Sequence, residues 1–143
     1  MIAVDTNLLV HAHRREASLH GTAFQEIANL AQSSNPWAIC YHSLIEFYAV
    51  VTQSRIWKSA STPTQAFAQI HAWQESPTLR ILTDVETSLE ELESLAKPGK
   101  VQGPMIHDAR IAACCLSHGV RELWTVDRDF SRFPALKVRN PLV

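Results

Sequence analysis

The chain has 143 residues, of which 46% are hydrophobic and 19% are charged, a composition that excludes a disordered tail, a coiled coil and a collagen-like fibre. Thirteen Lys and Arg against fourteen Asp and Glu leave a formal charge of -1, so no overall basic field attracts nucleic acid, and a phosphate-bearing partner has to be held locally. This length suits one ordinary domain, and we expect residues 1–143 to form a single unit.

The cysteines and the apolar runs bear on the cellular compartment. The chain has three Cys, of which Cys114 and Cys115 are adjacent, and it has no C-x-x-C spacing. Neither a disulfide framework nor a zinc site is indicated, which favours a reducing compartment. The apolar run at residues 2–4 is too short for a signal peptide, and no stretch approaches the length of a membrane span. We therefore expect a cytoplasmic protein with no membrane segment.

The first third of the chain alternates strand and helix patterns. Residues 2–4 form a short apolar run that predicts a strand buried on both faces. Helical spacing follows over residues 8–13 and 22–32, and the apolar, aromatic run at residues 37–41 predicts a second strand. Residues 43–53 are apolar on nearly every face, which predicts a buried helix.

The middle third predicts two helices with a weak strand between them. Residues 63–74 have helical spacing, and residues 80–82 form the weak strand. Residues 83–96 predict a helix that begins with a capping box of Thr83 and Glu86. The side chains expected to face inward on the first of these helices, fully or in part, are Phe67, Ile70, His71 and Trp73.

The last third completes an α/β pattern. A Gly- and Pro-containing loop at residues 97–104 leads into a helix over residues 105–118, which Gly119 closes. Residues 123–126 predict a buried strand, and residues 137–139 an edge strand. Strands that alternate with helices predict a mainly parallel β-sheet flanked by α-helices.

Four carboxylates occupy positions where a charge is unusual. Asp5 and Asp127 each follow a buried strand, and the carboxyl edge of an open parallel sheet is where ligands gather. Asp108 lies in the first turn of its helix and shares the apolar stripe, while Glu46 lies in the helix that is apolar nearly all round. We expect all four acids to converge at one edge of the sheet.

A group of buried carboxylates needs compensation, because each one costs several kcal/mol unless it is paired, protonated or bound to a metal. Carboxylate oxygens suit Mg²⁺ or Mn²⁺, whereas zinc prefers His or Cys ligands. Such an ion neutralises phosphate charge, acidifies a bound water and steadies a leaving oxygen. The acids therefore predict metal-assisted phosphoryl chemistry.

Each acid also has an ordinary structural interpretation. Asp5 can cap the helix that follows it, and Glu46 can form a capping box with the serine three residues before it. Asp108 can complement the helix dipole. Asp127 and Asp129 can cap a short turn, and Asp129 is the better candidate for that role alone. The metal hypothesis is favoured because these interpretations do not require all the acids to share one edge.

The ordered motifs resemble those of a known family. D-T-N at Asp5, S-L-I-E-F at Glu46, H-D-A-R-I-A-A at Asp108 and T-V-D-R-D-F at Asp127 look like the motifs of PIN-domain nucleases. Their order, spacing and total length look most like the VapC-type toxins of toxin–antitoxin pairs. This resemblance implies a parallel sheet flanked by helices, a Mg²⁺- or Mn²⁺-dependent endoribonuclease, a homodimer, an RNA substrate, and inhibition by a small antitoxin.

The resemblance also implies roles for individual residues. Asp5, Glu46, Asp108 and Asp127 match the acidic quartet of the family, and Asp129 is a candidate fifth acid. Polar side chains at Thr6, Asn7 and Thr125 match positions that support the acids. We expect Asp5 and Asp108 to bind the metal most directly, with Glu46, Asp127 and Asp129 completing its surroundings. The choice of general base stays open.

The substrate backbone requires cations, and several arginines lie near the predicted site. The first candidates are Arg14, Arg110 and Arg128, followed by Arg15, Arg55 and Arg132. The four tryptophans are expected in the core or in an interface, because their neighbours are apolar. A dimer or antitoxin surface is expected to involve Phe47, Tyr48, Val51 and the helix that contains Trp73.

Three other functions compete with a toxin. A phosphatase of the haloacid dehalogenase type also places Asp after its first strand, but its second acid would fall at Asn7. A PIN nuclease of RNA processing would need no antitoxin. A PIN-like module without catalysis would bind RNA or protein, although retention of all four acids argues against that.

Overall fold

A computed structural model describes residues 1–143, and a five-stranded sheet forms its centre. The strand order is β3-β2-β1-β4-β5, and every pair of neighbours is parallel. The expected α/β class, the parallel sheet and the edge strand near the C-terminus are confirmed. The strands are β1 (Ile2–Val4), β2 (Trp37–Cys40), β3 (Leu79–Leu82), β4 (Glu122–Trp124) and β5 (Val138–Arg139).

Six α-helices and two short 3-10 helices flank this sheet. None of the helices is long and apolar enough to span a membrane. The α-helices are α1 (Thr6–His13), α2 (His20–Gln32), α3 (Tyr41–Val51), α4 (Pro63–Gln74), α5 (Ser88–Ala96) and α6 (Ile106–Ser117). The 3-10 helices are Gly103–Met105 and Arg128–Arg132.

The sheet separates two hydrophobic cores, because successive side chains of a strand point to opposite faces. Ala3 of β1 packs with α5, α6 and the C-terminal 3-10 helix, whereas Val4 packs with α1 to α4. The α6 face of the sheet carries small residues such as Ala3 and Ala38, and α6 presents Ala109 and Ala112 to the same core. Small side chains on both sides let α6 approach the sheet closely, which holds the first turn of α6 at its carboxyl edge.

The helix predicted over residues 83–96 begins only at Ser88, so the expected capping box of Thr83 and Glu86 is wrong. Thr83 still belongs to the chain leaving β3, and its carbonyl accepts a hydrogen bond from His118 Nε2 at 2.8 Å. The backbone N–H of Val85 donates instead to Ser88 Oγ at 2.6 Å. A tertiary contact thus replaces the local helix signal.

The prediction that α3 is buried on nearly every face is also wrong. The helix begins at Tyr41, and both Tyr41 and Ile45 are half-exposed. On α4, Ile70 and Trp73 face the core as expected, whereas Phe67 is 52% exposed. His71, which was also expected to face inward, is exposed.

The aromatic core is largely as expected. Trp37, Trp73 and Trp124 are buried, and Trp57 is half-buried. Phe47, however, is fully buried. The same holds for Val51. Neither residue is available to the dimer or antitoxin surface to which the sequence assigned them.

Candidate active site at the carboxyl edge of the sheet

The predicted acids meet where β1 and β4 end side by side. These strands are parallel neighbours, so Asp5 and Asp127 leave the sheet at the same edge. Helix α3 brings Glu46 to this edge and α6 brings Asp108. All four line one cavity of about 250 Å³, together with Thr6, Asn7, Val10, His11 and Val50.

Asp5 is the most buried of the acids, with 3% of its surface exposed. Its Oδ1 accepts from the Thr6 backbone N–H at 2.8 Å, which caps α1, and its Oδ2 accepts from Thr125 Oγ1 at 2.7 Å. Burial raises the pKa of Asp5 to about 7, the two hydrogen bonds oppose this rise, and the charges of Asp108 and Glu46 add to it. Asp5 therefore both caps α1 and belongs to the acidic site.

The three predicted supporting residues connect β4 to α1. Asn7 Nδ2 donates to Thr125 Oγ1 at 3.1 Å and to Asp5 Oδ2 at 3.3 Å. Thr125 Oγ1 also accepts from the Asp127 backbone N–H at 3.0 Å. Thr6 Oγ1 donates to Glu46 Oε1 at 3.0 Å. These bonds fix the acids relative to one another across the whole length of the chain.

Asp108, Asp127 and Asp129 form the tightest acidic group. One carboxylate oxygen from each residue lies within 4.8 Å of the others. Desolvation, followed by the charges of Asp127, Glu46 and Asp129, raises the pKa of Asp108 to about 6. Asp5 does not belong to this trio, but it lines the same cavity as Asp108 and Asp127.

Asp127 and Asp129 both belong to the acidic trio, and they differ in which of them also caps the turn. Asp127 is the residue that caps the following 3-10 helix, since its Oδ1 accepts from the Asp129 backbone N–H at 2.8 Å. Asp129 makes no such cap, and its carboxylate belongs to the acidic trio alone. The expectation that Asp129 would be the capping residue is wrong.

Glu46 is not part of a capping box. Because α3 begins at Tyr41, Glu46 lies beyond the first turn, and Ser43 Oγ is buried without a hydrogen-bond partner. Glu46 Oε1 accepts from Thr6, whereas Oε2 makes no hydrogen bond and lies 4.0 Å from His42 Nε2. One oxygen of Glu46 is thus held in place and the other is free to accept a proton.

The sequence patterns did not predict a series of polar contacts beside the acids, which we call the polar chain and which runs from Asp84 through Arg110 and His42 to His107. Arg110 donates to Asp84 Oδ2 at 2.7 and 3.1 Å, and its NH1 lies 3.3 Å from His42 Nδ1. His42 Nε2 lies 3.2 Å from His107 Nδ1. Since an arginine can only donate, His42 Nδ1 accepts and the His42 proton resides on Nε2. Desolvation first, and then the charge of Arg110, lower the pKa of His42, which agrees with a neutral ring.

The sequence contained a partial signal for this chain. His42 precedes Glu46 by one helical turn, and His107 precedes Asp108 directly. A histidine four residues before an acid on a helix lies on the same face. The pairing of His42 with Arg110 spans 68 positions and leaves no local pattern.

The predicted arginines take three different positions. Arg14 is buried, and its guanidinium donates to Glu16, Ser61 Oγ and the Ser59 carbonyl. It therefore holds the loop after α3 and is not directed at the acidic cavity.

The other predicted arginines lie nearer the surface. Arg110 is ion-paired with Asp84. Arg128 is exposed on the turn between Asp127 and Asp129, with no ion pair of its own. Of the remaining candidates, Arg15 and Arg55 are exposed and Arg132 donates to the Gly99 carbonyl.

The donor set of the acids fits a hard divalent cation. Every potential ligand in the trio is a carboxylate oxygen, and no Cys or His belongs to it. Such a set suits Mg²⁺ or Mn²⁺ in preference to zinc. The raised pKa values of Asp5 and Asp108 show the repulsion and desolvation that a bound cation relieves.

Comparisons with known proteins point in one direction. Residues 2–136 match the family model for the PIN domain. The chain is 31% identical over 142 residues to VapC ribonuclease Mb2897 of Mycobacterium bovis, covering 99% of this chain and 96% of that protein. It is 24% identical over 137 residues to ribonuclease VapC48 of Mycobacterium tuberculosis, covering 96% and 94%.

Solved structures share the fold. The VapBC2 structure from Rickettsia felis, bound to a DNA fragment from its promoter, has a TM-score of 0.72 at 21% identity and covers 98% of both chains. VapC20 of Mycobacterium tuberculosis, described as a Sarcin-Ricin loop cleaving toxin, has a TM-score of 0.67 at 21% identity and covers 92% of this chain and 93% of its own.

Proposed function

Because this chain belongs to the PIN domain family, we propose that it is a divalent-metal-dependent endoribonuclease that hydrolyses RNA phosphodiester bonds as the toxin of a type II toxin–antitoxin pair. The observation that carries the proposal is the meeting of Asp5, Glu46, Asp108 and Asp127 around one cavity. The matching relatives are named as VapC ribonucleases, which supports both the reaction and the substrate.

Four carboxylates would hold the ion. Asp108, Asp127 and Asp129 supply the closest oxygens, and Asp5 lines the same cavity as Asp108 and Asp127. Mg²⁺ is the first candidate and Mn²⁺ the second, because both favour oxygen ligands. When bound, the cation supplies positive charge for the phosphate and makes nearby water more acidic.

The remaining roles follow from the hydrogen bonds of the acids. Thr125 and the N–H of Thr6 occupy both oxygens of Asp5, which favours its ionised form. Glu46 has one oxygen held by Thr6 and the other without a hydrogen bond. Glu46 is therefore the acid best placed to take a proton from the attacking water. Arg128, exposed beside the acidic trio, is best placed to contact the substrate backbone.

The proposal includes a homodimer and a small antitoxin as partners. The solved structures of similar fold include complexes such as VapBC2, and VapBC-1 from nontypeable Haemophilus influenzae. On this chain, Ile45 and Phe67 are about half-exposed apolar residues on α3 and α4, which suits a protein interface. The proposal also treats residues 1–143 as one nuclease domain in the cytoplasm, a reducing compartment that suits its three free cysteines.

RNA cleavage by the purified protein tests this function. We expect cleavage with Mg²⁺ or Mn²⁺, none with EDTA, and a loss of roughly 100-fold or more in Asp108→Asn and Asp5→Asn, as is usual when a group central to catalysis is removed. Glu93→Gln is the matched control, since Glu93 is an exposed acid paired only with Lys97. Activity that survives EDTA, or equal activity in all three variants, contradicts the proposal.

Toxicity is tested separately from cleavage. Expression of the wild-type chain should arrest growth, and Asp108→Asn should not. Co-expression of a small protein encoded beside this gene should restore growth and co-purify with the chain. Cleavage without growth arrest would assign the protein to RNA processing.

A further inference from the structure

A second cavity opens at the same edge of the sheet, over β2 and β3. Its volume is about 250 Å³, slightly below the range of drug-sized ligand sites, which is about 300–1,000 Å³. We call it the Asp84 cavity. Its defining residues are Cys40, Leu82 and Ile111 at the floor and Tyr41, Asp84 and Arg110 at the rim.

One side chain separates this cavity from the acidic site. His42 lines the Asp84 cavity, with Nδ1 3.3 Å from Arg110, and its Nε2 lies 4.0 Å from Glu46 Oε2. β1, which is followed by Asp5, pairs directly with β2, which ends at Cys40. Adjacent strands of a sheet lie only about 4.8 Å apart. A nucleotide next to the cleaved bond therefore has its base within reach of the Asp84 cavity.

The walls of the cavity match a flat aromatic ligand with polar edges. Cys40, Leu82 and Ile111 are each at most 5% exposed, so the floor is apolar and preformed. Tyr41, at 51% exposure, offers a ring on which a base can stack. A single nucleobase uses both surfaces at once.

The polar rim distinguishes among the four bases. Both hydrogen bonds between Arg110 and Asp84 use Asp84 Oδ2, and Oδ1 makes no hydrogen bond within the protein. A free carboxylate oxygen accepts from N–H groups, and guanine presents two of them on one edge, N1–H and the N2 amino group. Its O6 and N7 accept from a guanidinium. No other base offers paired donors to a carboxylate as well as paired acceptors to an arginine.

We propose that the Asp84 cavity binds a guanine base of single-stranded RNA next to the scissile phosphate, and that Asp84, Arg110 and Tyr41 determine this choice. The inference rests on the proposed ribonuclease function, because it assigns a specificity site to the same substrate. In this arrangement His42 lies between the two cavities, next to Arg110 on one side and Glu46 on the other.

Nucleotide binding in EDTA tests the cavity without requiring cleavage. The probes are the 5′-monophosphates of guanosine, adenosine, cytidine and uridine, with inosine monophosphate as a guanosine analogue that lacks the N2 amino group. We expect guanosine monophosphate to bind tighter than the adenosine, cytidine and uridine nucleotides by roughly 10-fold, the discrimination typical of one good base contact, and inosine monophosphate to fall between. All probes carry the same phosphate, so the difference reports the base.

Three variants locate the effect. Asp84→Asn should abolish the preference, because Arg110 holds the remaining acceptor oxygen and the amide NH2 then faces the donors of guanine, while Glu93→Gln should retain it. Tyr41→Ala should weaken every nucleotide, and Tyr41→Phe should restore binding. Equal affinity for all four nucleotides, no binding, or an unchanged preference in Asp84→Asn overturns the inference.

The ribonuclease assay separates this inference from the function it rests on. Metal-dependent cleavage together with base-independent binding refutes the guanine cavity alone. Selective guanosine monophosphate binding with no RNA cleavage refutes the proposed function alone. Where both hold, Asp84→Asn should cleave RNA without preference for guanine beside the cut.

Discussion

Thr125 shows how an uncharged residue controls a charged site. Its hydroxyl donates to Asp5 Oδ2 at 2.7 Å while it accepts from the backbone N–H of Asp127. A donor to a carboxylate stabilises the ionised form, and here it opposes the burial that raises the pKa of Asp5 to about 7. Thr125 therefore favours the ionised form of Asp5, which is the form that a cation requires.

Thr125→Val should weaken Mn²⁺ binding. The variant lacks the donor, so the pKa of Asp5 rises further and the metal must displace a proton at neutral pH. We expect a loss of about 10- to 100-fold in affinity, largest at pH 6 and smaller at pH 8, by titration calorimetry. Thr125→Ser is the control and should bind like wild type. An equal loss at both pH values would contradict the proton mechanism.

At this scale the sequence predicted the acids but not all their roles. Asp5 and Asp127 were predictable because residues just beyond the end of a buried parallel strand lie at the carboxyl edge. Whether Asp127 or Asp129 caps the turn depends on which side chain folds back over it, which residue identity does not decide. The contact between His42 and Arg110 depends on tertiary packing and leaves no periodicity.

At the scale of elements, packing and local signals act together. Helix α6 was predictable because its apolar stripe and the following Gly119 agree, and Gly119 has φ 67°, a left-handed conformation that glycine adopts without strain. The start of α5 was not, because the carbonyl of Thr83 is bonded to His118 and Asp84 is paired with Arg110. Local capping signals fail where the chain is held by contacts from distant positions.

Two glycine substitutions should change stability in opposite directions. Gly119→Ala should destabilise by about 1 kcal/mol, because a Cβ there meets no atom within 4 Å yet the left-handed backbone is unfavourable for alanine. Gly21→Ala, equally free of contacts within α2, should stabilise by roughly 0.5 kcal/mol through helix propensity. Urea denaturation measures both. Destabilisation by both substitutions would contradict the assignment of these effects to backbone conformation.

For the molecule as a whole, the acidic site trades stability against function. Asp5 and Asp108 have folded pKa values of about 7 and about 6, above the ordinary value for aspartate of about 3.9. Between these limits the folded state binds more protons than the unfolded state. The contribution of these two groups to stability is therefore present at low pH and is lost as the pH rises from about 4 to about 7. A cation that binds only the folded, ionised site restores it.

The effect of Asp108→Asn on the melting temperature should change sign when metal is bound. In EDTA at pH 7.5 the variant should melt at a higher temperature than wild type, because one repelling charge is gone. With saturating Mn²⁺ the wild type should melt higher, since the variant has lost a ligand. At pH 4 the two should differ least. Thermal melts at both pH values check this, and a wild-type Tm that Mn²⁺ leaves unchanged would show that the acids do not form one metal site.

The pairing of β1 with β4 also makes the acidic site depend on segments that lie far apart in the chain. The hydrogen bond between Thr125 and Asp5 joins residues 120 positions apart, and Asp127 and Asp129 come later still in the chain. A nascent polypeptide that has not yet docked β4 beside β1 lacks these late acids and leaves Asp5 without its partners. The acidic site therefore forms only after β4 has been synthesised and has paired with β1.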